Sequence, residues 1–172
     1  MNNNHCATIN IPVGAVKRCT GTELALLFLI NKAGSLTKKE LNEQVGLYST
    51  TVTKGVKGLC NKGFVRVEGN RIYSLNQNDK CVLLNSAIAE LYVAKLISET
   101  ELRVTYAILV FEKQGLLITI KALSDFLNID TSGISKAINS LSKKGLVKKE
   151  KNTSFTKNII TANKAEHIYR CN

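Results

Sequence analysis

The chain has no apolar run long enough to cross a bilayer. Its greasiest stretch, Leu24 to Ile30, falls far short of the roughly 20 residues a spanning helix needs. Residues Met1 to Cys6 lack the basic and apolar regions of a signal peptide, which predicts a cytoplasmic protein. The five cysteines (Cys6, Cys19, Cys60, Cys81 and Cys171) are odd in number and scattered, with no C-x-x-C pair. They read as incidental thiols of a reduced protein. Cys19 or Cys60 as a redox-sensing thiol is the sharper reading, and a buried structural cysteine the commoner outcome. There are only two histidines. His167 and Cys171, four apart, make at most half a metal site that only His5 and Cys6 could complete, and no recognised ligand spacing results. Phosphate-binding glycine loops, paired carboxylates and nucleophile constellations are missing as well, which predicts no enzyme and no cofactor.

Negative charge is also scarce. Thirteen Asp and Glu face 24 Lys and Arg, for a net charge of +11 over 172 residues. That imbalance calls for a polyanionic partner, either nucleic acid or an anionic membrane surface.

What the chain does contain is itself, twice. Leu36 to Val67 lies over Ile118 to Lys149 at a constant shift of 82 residues without a gap. Thr37 falls on Thr119, Leu41 on Leu123, Lys54 on Lys136, Leu59 on Leu141, Lys62 on Lys144, Gly63 on Gly145 and Val65 on Val147. A period this long is a small domain rather than a solenoid unit of roughly 20–50 residues. The pattern predicts an N-terminal tail or edge strand over 1–19, a first domain over 20–81, a connecting helix over 82–97 and a second domain over 98–172.

Each copy opens on a capping box, Thr20 with Glu23 and Ser98 with Glu101. The second opening helix is expected to be about one turn longer, ending near Gly115 as the first ends near Gly34. A short amphipathic helix follows, Lys38 to Val45 or Ile120 to Leu127, capped by Thr37 or Thr119. After a tight connection, a third helix starts on a hydroxyl cap. Its inward stripe is Val52, Val56 and Leu59, or Ile134, Ile138 and Leu141, at the spacing of one helical face. Lys62-Gly63 and Lys144-Gly145 end it with a left-handed glycine. A hairpin closes each copy: Phe64 to Glu68 and Arg71 to Leu75 around Gly69-Asn70, and Leu146 to Lys149 returning through Lys157 to Thr161 past a polar tip. Val82 to Ile97 reads as an amphipathic helix, and a short helix is expected after Ala162.

Helix, helix, turn, helix and wing make the winged helix-turn-helix. The phrases LTKKELNEQVGLYSTTVTKGVKGLCNKGFV and ITIKALSDFLNIDTSGISKAINSLSKKGLV resemble the DNA-reading core of bacterial winged-helix regulators, and the second is similar to the MarR (multiple-antibiotic-resistance regulator) type. The expected class is mainly α with small β-wings (α+β), two winged helices in tandem joined by a helix. The resemblance implies sequence-specific binding of double-stranded DNA by a transcription regulator associated with the nucleoid. Plasmid or phage replication initiators also use tandem winged helices, and the adaptor protein ScpB resembles the same architecture. A homodimer and a small-molecule effector are left open, and no membrane role is expected.

The residue pattern supports DNA reading on its own terms. A recognition helix presents short polar side chains and cations opposite its core stripe. The second copy offers Ser132, Ser135, Lys136, Asn139 and Lys143, with Lys148, Lys149, Lys151 and Lys157 in the wing. The first offers Thr50, Thr51, Thr53, Lys54, Lys57 and Asn61, with Arg66 and Arg71 in its wing. Residues 131–161 hold seven lysines and one glutamate, residues 49–75 five basic residues and one glutamate, while residues 82–130 carry four basic and six acidic residues. Against this stands the plain reading of a solvated lysine face. Tyr48 and Tyr73 either touch DNA or close the core. Gly55 and Gly58, where the second copy has Ala137 and Ser140, mark either a close approach or a degenerate reader.

Overall fold

A computed structural model describes residues 8–75, 81–85, 87–151 and 158–162. The chain divides into two compact units, Met1–Leu102 and Arg103–Asn172. The first unit runs β1 (Thr8–Pro12), α1 (Val13–Arg18), α2 (Gly21–Ala33), β2 (Ser35–Thr37), α3 (Lys38–Val45), α4 (Ser49–Asn61), β3 (Val65–Glu68), β4 (Arg71–Ser74), β5 (Cys81–Asn85) and α5 (Ala87–Val93). α6 (Glu99–Lys113) carries the boundary, and α7 (Ile120–Leu127), α8 (Thr131–Lys143), β6 (Val147–Lys151) and β7 (Asn158–Ala162) follow.

The centre of the first unit is α2. Leu24, Leu26, Leu27, Phe28 and Ile30 are all buried. A helix apolar on every side must be covered on every side, and α2 packs against α4, α5, β1, β2 and β4. Its start is the expected capping box: Thr20 accepts from the Glu23 amide, and the Glu23 carboxylate accepts from the Thr20 amide at 2.7 Å. The α6 box has the same form, Ser98 with Glu101. α6 is 15 residues against 13 for α2, so the extension is about half a turn rather than one.

Three features differ from the sequence expectation, the first two for a non-local reason. The helix predicted over Val82 to Ile97 begins only at Ala87 and ends at Val93; Cys81–Asn85 is a strand, antiparallel to β1, with Ile9 opposite Leu84 and Ile11 opposite Val82. All four of those side chains are buried. A short apolar run suits either state by periodicity, and the partner that decides lies some 70 residues away in the segment read as a tail or an edge strand. That segment also forms α1, whose Arg18 guanidinium lies 4.8 Å above the Phe64 ring. Second, Ser35–Thr37 adds a strand to the first wing, giving the order β2-β4-β3, while the second wing pairs β6 with β7 alone among the described residues. Third, the reading helices do not start on hydroxyl caps. The N-cap of α4 is Tyr48, with no side-chain bond to the helix, and that of α8 is Asp130, which accepts from the Gly133 amide.

The expected left-handed glycines are in place, Gly63 at φ 74° and Gly145 at φ 72°. Each lets the next amide reach back to the helix, Phe64 to the Leu59 carbonyl and Leu146 to the Leu141 carbonyl, which turns the chain into the wing. In the second unit, Arg103 donates to the Leu127 carbonyl at the end of α7, and Phe111 meets Phe126 edge to face at 5.3 Å.

Candidate nucleic-acid interface

On α8, Ile134, Ala137, Ile138 and Leu141 are buried, and Ser132, Lys136, Asn139 and Lys143 are exposed. Ser135 is half-buried, at the edge of that outer face. Ser132 is already engaged: its hydroxyl donates to the Asp130 carboxylate at 2.6 Å. The Ser132 and Gly133 hydrogen bonds hold the Asp130 carboxyl below the usual carboxylate range, with a smaller contribution from Lys136.

On α4 the stripe Val52, Val56 and Leu59 is buried, and Thr50, Thr53, Lys54, Lys57 and Asn61 are exposed, with Thr51 half-buried. Gly55 and Gly58 do not belong to that outer face. A Cβ at Gly55 would stand 2.6 Å from Leu26 Cδ1, and one at Gly58 would overlap the Glu23 carboxylate. Both glycines therefore serve the approach of α4 to α2. The same carboxylate pairs with Lys62 at the end of α4, so one of the five cations in that region is turned inward.

The wings hold their cations differently. Arg66 pairs with Glu68 at 3.0 Å and lies 5.7 Å from the Tyr73 ring centroid, while Arg71 donates to the Ser35 hydroxyl at 2.9 Å. Tyr73 is half-buried beneath Arg66, and Tyr48 is 86% exposed, so neither ring is closed into the core. Lys148 is exposed on β6. Lys149 and Lys151 lie on the same strand, opposite Ile160 and Asn158. Lys157 lies outside the described residues, as do His5, Cys6, His167, Cys171 and the helix expected after Ala162. Among the described residues no three His, Cys, Asp or Glu side chains gather as a metal site. Cys19 is buried, Cys60 half-buried and Cys81 exposed, all as thiols.

Sequence reasoning passed over Asp130 and the Glu23–Lys62 pair. The signal for Asp130 was present, since an Asp before a helix is a strong N-cap. Nothing local marks Glu23 and Lys62 as partners, because 39 positions separate them.

Among the described residues no helix is long and apolar enough to cross a membrane. No curated protein matches the chain. Among solved structures the chain is similar to ScpB from Mycobacterium tuberculosis, at 14% identity over 92% of this chain and 97% of that one, with a TM-score of 0.30. A likeness that low bears on neither arrangement nor function. The MarR family matches twice, over residues 19–70 and again over residues 97–154. These two stretches contain α4 with β2 and β3 of the first wing, and α8 with the start of the second. The protein is thus a tandem of two MarR-family winged-helix regions.

Proposed function

We propose that the protein is a transcription regulator that binds double-stranded DNA sequence-specifically, with α4 and α8 as reading helices and the two hairpins as basic wings. The observation that carries this reading is the outer face of α8. Lys136, Asn139 and Lys143 project from the side opposite Ile134, Ile138 and Leu141, in a region of seven lysines and one glutamate. Within one chain, two such helices take the place of two subunits of a dimeric regulator. Because their outer faces differ, the preferred site is asymmetric.

Asn139 has an amide able to pair bidentately with adenine, and Lys136 can donate to guanine or to a phosphate. Replacing Asn139 with alanine is expected to cost about 1–3 kcal/mol at one base position and to leave non-specific binding nearly intact. A titration against single-base variants of the selected site measures this. An unchanged ranking and affinity across that panel would remove α8 as the reader. Little affinity for any duplex would favour a protein adaptor instead, and footprints at origin repeats rather than promoters would favour a replication initiator.

The wing has a separate expected role. Lys148, Lys149 and Lys151 contact phosphates and carry little sequence information. Their replacement by alanine should weaken specific and random duplex alike and flatten the salt dependence by roughly one unit of slope per lost contact. Unaltered affinity at low salt would count against phosphate contacts at this wing.

A further inference from the structure

The shift of 82 that relates the copies places Tyr48 on Asp130, and the two residues hold the same N-cap position on the two reading helices. Their chemistry is opposite. Tyr48 is 86% exposed and its side chain makes no bond to its own helix, although a tyrosine ring usually buries most of its apolar area. Asp130 is held rigidly. Oδ1 accepts from the Ser132 hydroxyl at 2.6 Å and from the Gly133 amide at 2.8 Å. The bonded carboxylate stays ionised at neutral pH, since its partners favour the charged form.

A fixed anion at the head of a reading helix cannot serve as a phosphate anchor, because like charges repel. It can accept a hydrogen bond from an exocyclic amine, and cytosine N4 is the major-groove donor that carboxylates read. An exposed ring at the matching position offers apolar contact, which suits the thymine methyl. Resting on the DNA-binding reading above, we infer that positions 48 and 130 make the two half-sites different: Asp130 selects cytosine at its half-site, and Tyr48 selects thymine at the corresponding place in the other.

The competing explanation of Asp130 is a helix cap and nothing more. Serine separates the two, since it caps about as well as aspartate but supplies no second anionic oxygen. The full-length protein would first select its site from a randomised duplex library. Wild type, Asp130→Ser, Tyr48→Ala and the exchange Tyr48→Asp with Asp130→Tyr would then be titrated against single-base variants of that site. Asp130→Ser should lose about tenfold discrimination for cytosine at one position, keep its ranking elsewhere and keep its melting temperature. Tyr48→Ala should lose a thymine preference at the related position, and the exchange should swap the two preferences. A wild-type site whose ranking survives Asp130→Ser and Tyr48→Ala unchanged overturns this inference and leaves DNA reading intact. So does a lowered melting temperature with the ranking unchanged, which is the signature of a cap alone. Failure of the wild type to select any sequence overturns the DNA-binding reading itself.

Discussion

Phe64→Ala is expected to cost the first unit about 3–5 kcal/mol, the range for deleting a buried aromatic side chain. Phe64 has no exposed surface, and it stands where α4 turns into the wing. Its amide donates to the Leu59 carbonyl, its carbonyl accepts from the Leu75 amide, and Arg18 covers its ring. Removing the ring thus loosens the reading helix, the wing and α1 together. Leu146 holds the equivalent place in the second copy but is only half-buried, so Leu146→Ala should cost about 1–2 kcal/mol, following the smaller apolar area it removes from water. Chemical denaturation of both variants supplies the comparison. Equal losses would mean that the turn into the wing, rather than the burial of this ring, supports the first unit.

Gly58→Ala tests the contact that draws α4 onto α2. In an ordinary exposed helix the change would stabilise by about 1 kcal/mol, since glycine is the poorer helix former. Here the new methyl meets the Glu23 carboxylate, which is held by the Thr20 amide and by Lys62 and has little room to move. Overpacking of this kind costs typically about 1–3 kcal/mol, so a net loss is expected. In a Glu23→Ala background the clash disappears, and the same glycine change should become neutral or stabilising. The double-mutant cycle isolates that coupling. A Gly58→Ala protein as stable as wild type, with no coupling to Glu23, would show that the helices can shift apart freely.

The two glycines also mark how far residue types can be read. Gly55 and Gly58 were legible as a departure from Ala137 and Ser140, and a close approach was one of two meanings. Their partners, Leu26 and Glu23, lie three elements earlier on a helix whose own pattern is apolar on every face. No local periodicity could say which side of α2 receives α4. The outer faces of α4 and α8 were legible for the opposite reason. A stripe at helical spacing fixes its own reverse side, and Thr50, Lys54, Lys57, Lys136, Asn139 and Lys143 are exposed as that geometry requires. Arg66 and Arg71 were legible as cations; Glu68 stands two residues from Arg66 on the same strand, whereas the engagement of Arg71 with Ser35 depends on strand pairing.

Sequence by itself determined the tandem, the two capping boxes, the short helices after Thr37 and Thr119, the buried stripes of both reading helices and the glycines that turn them into wings. The tandem is read by laying one copy over the other; the rest arise within a few residues, where side-chain spacing and backbone preference act directly. Only the tertiary structure decided that Cys81–Asn85 is a strand, that the segment before Thr20 joins the first unit as β1 and α1, that Ser35–Thr37 widens one wing, and that Glu23 ties Lys62 to the start of α2. Each of those depends on a partner far along the chain, and strand pairing and long-range ion pairs leave no periodic trace in the residues between.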